Sequence, residues 1–176
     1  TVTIMREDTP APFDVTIIRD TIQVRSVRHR IENDNVGYIR ISSFNKNAGS
    51  GVVEAMRKIK EEAGDKLAGV VLDLRGNPGG LLDQAVDVSD AFLNKGEVVS
   101  TRGRRAADID RYSARNGDVA EGLPVVVLIN AYSASASEIV AGALQDHRRG
   151  TVIGTQSFGK GTVQTIIPLS AQSAIR

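Results

Sequence analysis

Cysteine and tryptophan are absent from this chain of 176 residues, and neither sign of charge is in excess. The lack of cysteine excludes disulfides and thiolate zinc ligands, although it does not fix the cellular compartment. A net charge of +1 gives no electrostatic reason to expect nucleic acid or an anionic membrane as a partner. No apolar run reaches the length of a membrane-spanning helix.

The composition is that of an ordinary globular domain, with 41% hydrophobic and 24% charged residues. Histidine is scarce, since the chain has only His29 and His147. Neither lies in a sequence typical of a catalytic base, and two separate histidines make a poor metal site. We therefore expect neither a metal nor another cofactor. Because the chain begins at Thr1 in a strand-like pattern and ends without a stop signal, we expect it to be part of a longer protein.

The pattern of apolar residues predicts an α/β fold. Residues 1–24 predict a β-hairpin, and from residue 37 strand-like and helical segments alternate, which favours a largely parallel sheet. Strands are predicted at 37–41, 67–74, 96–101, 124–129, 151–153 and 162–169. Helices are predicted from residue 50 to Gly64, at 81–93 and at 135–149, and an irregular surface loop at 102–121.

A serine-rich turn connects a buried strand to a helix. Ser135 lies at the predicted start of that helix, where free N–H groups and the helix dipole stabilise negative charge. Acyl transfer requires such a setting, and the N–H of Ala136 is a candidate oxyanion donor. The ordinary alternative is a capping box formed by Ser135 and Glu138. Ser133 and Ser137 are alternative nucleophiles.

Lys160 lies between two glycines in a segment that nearly matches a phosphate-binding loop. The match fails because Gly161 occupies the position of the metal-binding hydroxyl and because the following residues predict a strand instead of a helix. Burial lowers the pKa of a lysine and allows it to act as a base, and Phe158 is a candidate for burying Lys160. The ordinary alternative is a surface lysine in a turn.

A glycine-rich turn follows the apolar strand that contains Asp73. Such turns expose backbone N–H groups that bind anions, so Gly79 and Gly80 are candidates for a second oxyanion donor. A purely structural turn explains the same residues equally well. Asp73 needs a polar partner within an apolar strand, and we favour a structural role for it.

Three motifs in this order resemble those of the carboxy-terminal processing, or tail-specific, proteases. They are residues 73–80 (DLRGNPGG), 133–139 (SASASEI) and 154–161 (GTQSFGKG). The resemblance implies a serine-lysine peptidase in which the serine attacks a peptide bond near the carboxyl end of a protein substrate. The implied roles are Ser135 as nucleophile, Lys160 as general base, Gln164 as the residue that orients the lysine, and the N–H groups of Ala136 and of Gly79 or Gly80 as oxyanion donors.

The resemblance also implies a domain organisation. Residues 25–176 would be a catalytic core of the Clp-protease/crotonase-like spiral type, truncated at its end, and residues 1–24 would be the last strands of a PDZ domain. The parent protein would be exported, either to the periplasm or to a membrane where it faces the periplasm. It would act on accessible C-terminal tails, and a homo-oligomer of the full-length protein is a further expectation. A catalytically incompetent scaffold of the same fold is the alternative. Tyr132 replaces a smaller residue of the family pattern, so we expect an altered pocket beside Ser135.

Overall fold

The computed structural model describes residues 1–20, 25–105, 107–115, 117–164, 167–169 and 173–175. It has three α-helices and eleven strands among these residues. The strands are β1 (Val2–Ile4), β2 (Phe13–Val15), β3 (Val27–Glu32), β4 (Val36–Ile41), β5 (Gly69–Asp73), β6 (Glu97–Arg102), β7 (Ile109–Ser113), β8 (Val125–Ile129), β9 (Gly150–Gly154), β10 (Ile167–Pro168) and β11 (Ala174–Ile175). The helices are α1 (Ala48–Ala63), α2 (Leu82–Asp90) and α3 (Ala136–Asp146).

The centre of the molecule is a five-stranded sheet in the order β3-β4-β5-β8-β9. The strands from β4 to β9 in this sheet pair in parallel, and β3 pairs with β4 in the antiparallel direction. Leu72 in β5 and Val127 in β8 are fully buried, as expected for central strands covered on both faces. The predicted α/β class and the largely parallel sheet are therefore confirmed.

The helices bury apolar faces against the sheet and against one another. In α1, Val52, Met56 and Ile59 are almost completely buried, whereas Arg57 is exposed and pairs with Glu54 at 2.7 Å. This division follows from the 3.6-residue period, which places the three apolar residues on one side of the helix. Helix α3 follows β8 directly, so the turn between them lies at the carboxyl end of the central strands.

Two parts of the predicted secondary structure were wrong. The predicted irregular loop at 102–121 contains β7, which pairs with β6 in an antiparallel hairpin. The predicted strand at 162–169 is not continuous, since residues 162–164 form no regular element and 165–166 lie outside the described residues. Among the described residues of this range, only Ile167 and Pro168 lie in a strand, β10, which pairs with β11.

The predicted hairpin near the start of the chain is confirmed. Strands β1 and β2 pair in the antiparallel direction, with Thr3 opposite Asp14. The pair is further held by a hydrogen bond of 2.7 Å from the Thr3 hydroxyl to the Asp14 carboxylate. In the described part of the chain, no helix is both long and apolar enough to cross a bilayer.

Candidate active site

Ser135 occupies the turn between β8 and α3 in a strained backbone conformation. Its φ and ψ are 55° and −113°, and it is the N-cap of α3. A non-glycine residue with positive φ costs free energy, and such strain is frequent at active sites. Sharp strand-to-helix turns carry the nucleophilic serine of other hydrolase folds. Ser135 is half-buried and so remains accessible.

The other two serines of the motif are tied into the core. Ser133 is fully buried, and its hydroxyl donates to the carbonyl of Leu74 at 2.8 Å. Ser137 is also fully buried, and its hydroxyl donates to the carbonyl of Asn77 at 2.9 Å. Both hydroxyls are committed to backbone partners and are shielded from substrate. Of the three candidate nucleophiles, Ser135 is the one that the structure leaves available.

The glycine-rich turn after β5 packs directly against Ser135. Gly79 has a φ of 104°, and a Cβ there would lie 2.9 Å from the Ser135 Cβ and 3.0 Å from the Ala136 nitrogen. Only glycine fits such a close approach of two backbones without displacement. The fully buried Asn77 fixes the turn, because its amide donates to the carbonyl of Ile41 at 2.9 Å. The predicted meeting of the glycine turn and the serine turn is thus present in the structure.

The structure distinguishes the two candidate glycines. The N–H of Gly79 donates to the Asn77 side-chain oxygen at 2.9 Å, so this donor is already used. Gly80 forms a parallel bridge with Phe44, in which Phe44 bonds to the residues on either side of Gly80. In such a bridge the N–H of the central residue points away from its neighbour. Among the described residues the N–H of Gly80 has no hydrogen-bond partner.

Glu138 joins the serine turn to the segment that contains Lys160. One carboxylate oxygen, Oε2, accepts the N–H of Ser135 at 2.7 Å and the N–H of Lys160 at 2.9 Å. The other oxygen, Oε1, accepts the Ser157 hydroxyl at 2.7 Å and the Gly159 N–H at 2.6 Å. Because Ser135 and Lys160 share one acceptor atom, their backbone nitrogens lie within about 6 Å of each other.

The Glu138 carboxylate is stabilised in its ionised form. Partial burial opposes ionisation, but the hydrogen bonds from the Ser157 hydroxyl and from three backbone N–H groups hold the pKa of Glu138 below its ordinary value. Its position in the first turn of α3 adds the favourable end of the helix dipole. Glu138 also completes the predicted capping box, since its carboxylate accepts the Ser135 N–H and its own N–H faces the Ser135 side chain.

Asp73 lies at the start of the glycine turn and has the partners that its position in an apolar strand requires. The side chain is fully buried, and it accepts hydrogen bonds from the Arg75 guanidinium at 2.8 and 2.9 Å, from Arg40 at 2.9 Å and from the Tyr38 hydroxyl. Burial opposes its ionisation, yet the bonds from Arg75 and Tyr38 hold the pKa of Asp73 well below its usual range. The geometry agrees with the structural role favoured from the sequence.

The remaining predicted residues lie in a segment without regular structure. Lys160 is half-buried and is placed through its backbone bond to Glu138. Gln164 is exposed and does not lie on a strand, so strand geometry does not align its side chain with Lys160. Phe158 is 70% exposed and does not form the expected apolar cover, although its N–H donates to the Ser133 carbonyl at 3.0 Å.

Sequence reasoning missed two residues of this site. Glu138 was recognised only as a local helix cap, because the capping-box spacing carries no information on a segment 22 positions further along the chain. Asn77 lay in the recognised glycine motif without an assigned role. A buried asparagine that bonds both to its own turn and to a neighbouring strand is a tertiary feature that spacing alone does not indicate.

Ser135, held in this way beside a glycine-rich turn and a lysine-bearing segment, is arranged like the serine of a serine hydrolase. Comparison with known proteins agrees with this class. The profile of Peptidase family S41 matches residues 35–176, which is most of the chain. The chain therefore belongs to peptidase family S41, the C-terminal processing family of serine peptidases.

Named relatives and solved structures give the same result. The chain is 57% identical over its whole length to a carboxy-terminal-processing protease of Bartonella bacilliformis, and covers 41% of that protein. It is 39% identical to a carboxyl-terminal-processing protease of Synechocystis over 98% of the chain and 40% of the relative. The solved photosystem II D1 C-terminal processing protease superposes with a TM-score of 0.73 at 32% identity, covering 89% of the chain and 43% of that structure. The chain thus spans about two fifths of each of these proteins.

Proposed function

We propose that this chain carries the nucleophile, general base and oxyanion donors of a serine endopeptidase that cleaves protein substrates near their carboxyl ends. The observation that carries the proposal is the shared Glu138 oxygen, which brings the backbones of Ser135 and Lys160 together. The strained conformation of Ser135 and the commitment of the neighbouring serines to core hydrogen bonds support the choice of nucleophile. The names of the relatives support the choice of substrate end.

In the first step of the proposed reaction, the Lys160 amine accepts the proton of the Ser135 hydroxyl. The Ser135 oxygen then bonds to the carbonyl carbon of the scissile peptide, and the carbonyl π electrons move onto its oxygen. The N–H groups of Gly80 and Ala136 bind this oxyanion. When the intermediate collapses, the peptide C–N bond breaks and the leaving nitrogen takes the proton from Lys160.

The second half of the reaction releases the acyl group from Ser135. A water molecule gives a proton to Lys160 and bonds to the ester carbonyl carbon, and the Ser135 oxygen leaves and regains that proton. The same two donors hold the second oxyanion. Gln164 is proposed to orient Lys160, which is supported only by its position four residues further along the same segment.

The wider organisation of the protein is part of the proposal. We place residues 25–176 in a Clp-protease/crotonase-like spiral core, which the order of alternating strands and helices supports. We assign residues 1–24 to the end of a PDZ domain, which is supported by the antiparallel β1–β2 pair and by the start of the family match at residue 35. The resemblance of the motifs supports three further proposals. The full-length protein is exported to the periplasm, it acts on C-terminal tails, and it forms a homo-oligomer.

The test is peptide cleavage and active-site labelling of the full-length protein and its variants. Ser135→Ala and Lys160→Ala should each lower kcat by about 10³-fold or more, since each removes a group that acts in both halves of the reaction. Ser135→Ala should also abolish labelling by a fluorophosphonate. The matched controls are Ser113→Ala, in an exposed part of β7, and Lys66→Ala, which is exposed after α1. Full activity of either active-site variant, or an unlabelled and inactive parent, would overturn the proposal in favour of a non-catalytic scaffold.

A further inference from the structure

Lys160 lies in a segment with few attachments to the rest of the chain. After β9 ends at Gly154, no regular element follows as far as residue 164. Within 155–164 the described hydrogen bonds to other parts of the chain number four, and three of them end on Glu138. The fourth runs from the Phe158 N–H to the Ser133 carbonyl. The position of Lys160 therefore depends mainly on one side chain.

The Glu138 carboxylate only accepts hydrogen bonds from these two segments. Each of its two oxygens accepts two hydrogen bonds, and the four donors come from the serine turn and from the lysine segment. An ionised carboxylate has lone pairs for all four, whereas a protonated acid or an amide would present a hydrogen to at least one donor. The ionised state is the one that this donor set selects.

The connection also fixes the separation of the two backbone segments that carry Ser135 and Lys160. The Ser135 and Lys160 nitrogens share one oxygen atom, so a shift of the Glu138 carboxylate changes both ends of the pair together. Proton transfer between a nucleophile and its base requires heavy atoms within about 3 Å, and small displacements are costly. A carboxylate anchored in the first turn of a helix is a rigid support for such a pair.

We infer that Glu138 is a positioning residue that holds Lys160 in register with Ser135 through its ionised carboxylate. The part of this inference that concerns catalysis rests on the proposed function. The part that concerns the connection between the two segments rests on the hydrogen bonds alone. Glu138 contacts no reacting atom, so it acts through the placement of Lys160.

The decisive variant is Glu138→Gln, which keeps the side-chain shape but replaces one acceptor oxygen with a donor. We expect kcat to fall by about 10²-fold or more because the base is displaced, while KM changes by less than about threefold. The backbone N–H groups of Gly159 and Lys160 should exchange with solvent at least about tenfold faster, while those of β8 are unchanged. Glu138→Asp keeps the charge and should recover at least about tenfold of the lost kcat. Glu62→Gln, on the exposed face of α1, is the matched control and should match the parent.

The two readouts separate this inference from the proposed function. If Ser135→Ala is inactive but Glu138→Gln keeps kcat within about twofold, Glu138 has no positioning role and the nucleophile stands. If the exchange of Gly159 and Lys160 is unchanged in Glu138→Gln, the connection itself is refuted. If Ser135→Ala is fully active, the proposed function fails, and hydrogen exchange alone decides whether Glu138 holds the segment. Should Glu138→Gln not fold, kcat and the exchange rates of the Gly159 and Lys160 N–H groups are measured on Glu138→Asp instead. Values equal to those of the parent protein for both would then refute the inference.

Discussion

At the scale of single residues, close backbone contact dominates the site. Gly79 touches the backbone of the serine turn, and hydrogen bonds on both sides of Ser135 hold its positive-φ conformation. The Ala134 N–H donates to the Asn77 carbonyl at 3.1 Å, and the Ser135 N–H donates to Glu138. Strain at one residue persists only where its surroundings determine it, and these contacts supply that support.

Substitution of Gly79 by alanine tests this contact. The added Cβ would lie 2.8 Å from the Ala134 carbonyl oxygen and 2.9 Å from the Ser135 Cβ, at a φ of 104° that alanine rarely adopts. We expect a loss of about 1–3 kcal/mol in the free energy of unfolding and a larger relative loss of labelling at Ser135. Urea unfolding and fluorophosphonate labelling rates measure the two effects.

Gly142→Ala is the matched control for this prediction. Gly142 lies inside α3, and a Cβ there has nothing within 4 Å beyond its own helix. Alanine should therefore stabilise the helix by about 0.5–1 kcal/mol. Equal effects of the two substitutions would contradict the contact between Gly79 and the nucleophile turn.

At the scale of elements, the site is made by the connections that follow three neighbouring strands, at the carboxyl end of the sheet. The glycine turn follows β5, the serine turn follows β8 and the lysine segment follows β9. These three strands are neighbours and run in parallel, so their carboxyl ends meet. Ligand and catalytic sites of α/β sheets characteristically form at this edge. Helix α3 then anchors the arrangement, because it carries Glu138 in its first turn and packs its apolar side on the core.

A pair of valine substitutions measures how strongly α3 is anchored. Val140 in α3 is fully buried, whereas Val53 in α1 is 46% exposed. Val140→Ala should lower the free energy of unfolding by about 1.5–3 kcal/mol, since it removes buried methyl groups and leaves a cavity. Val53→Ala should change it by less than about 0.5 kcal/mol. Chemical denaturation of both variants gives the comparison, and a negligible effect of Val140→Ala would show that α3 is not part of the core.

At the scale of the whole molecule, ionised carboxylates connect the segments around the site. Asp73 holds the glycine turn to β4 through Arg40, and Glu138 holds the lysine segment to α3. Asp118 accepts a bond from the Arg149 side chain at 2.9 Å and so ties the loop before β8 to the chain after α3. Each of these carboxylates joins parts of the chain that are separate in sequence. The contributions of Asp73 and Glu138 to stability depend on pH, because their pKa values are lowered in the folded state.

The direction of that dependence follows from the lowered pKa values of Asp73 and Glu138 in the folded state. A carboxylate with a depressed pKa stabilises the fold fully above its unfolded value, near pH 4, and this contribution is lost as the pH falls further. We expect the stability due to these two groups to be constant from about pH 6 to 8 and to decline below about pH 4. Thermal unfolding across this range measures it.

Asp73→Asn isolates one of the two groups. At neutral pH it should lower the free energy of unfolding by about 2–3 kcal/mol, because hydrogen bonds from charged partners lose their charged acceptor. The difference from the parent should shrink as the pH falls, since the parent then protonates the same carboxyl group. Asp65→Asn, at an exposed position after α1, is the control. A difference that stays constant down to pH 2 would contradict the assignment.

The sequence by itself determined the local elements and the motifs. Apolar runs and helical periods predicted β5, β8, α1 and α3, because the spacing of apolar residues in these segments follows directly from which side chains are buried. The prediction failed at β7, whose exposed residues show no apolar alternation. It also failed at 162–164, where β-branched residues favour a strand but the structure shows no strand pairing. Residue type and order also identified the family, since three catalytic motifs in one order are specific.

Tertiary structure decided which groups within those motifs are available. The hydroxyls of Ser133 and Ser137 are occupied by hydrogen bonds to backbone carbonyls. These carbonyls lie 59 and 60 positions earlier in the chain, respectively, so no local sequence pattern indicates the bonds. The N–H of Gly79 is used by Asn77, whereas the N–H of Gly80 has no hydrogen-bond partner among the described residues. Glu138 reads as a helix cap in sequence and becomes the support of Lys160 only when β9 lies beside α3. Hydrogen-bond availability depends on neighbours in space, and for that reason the fold had to decide it.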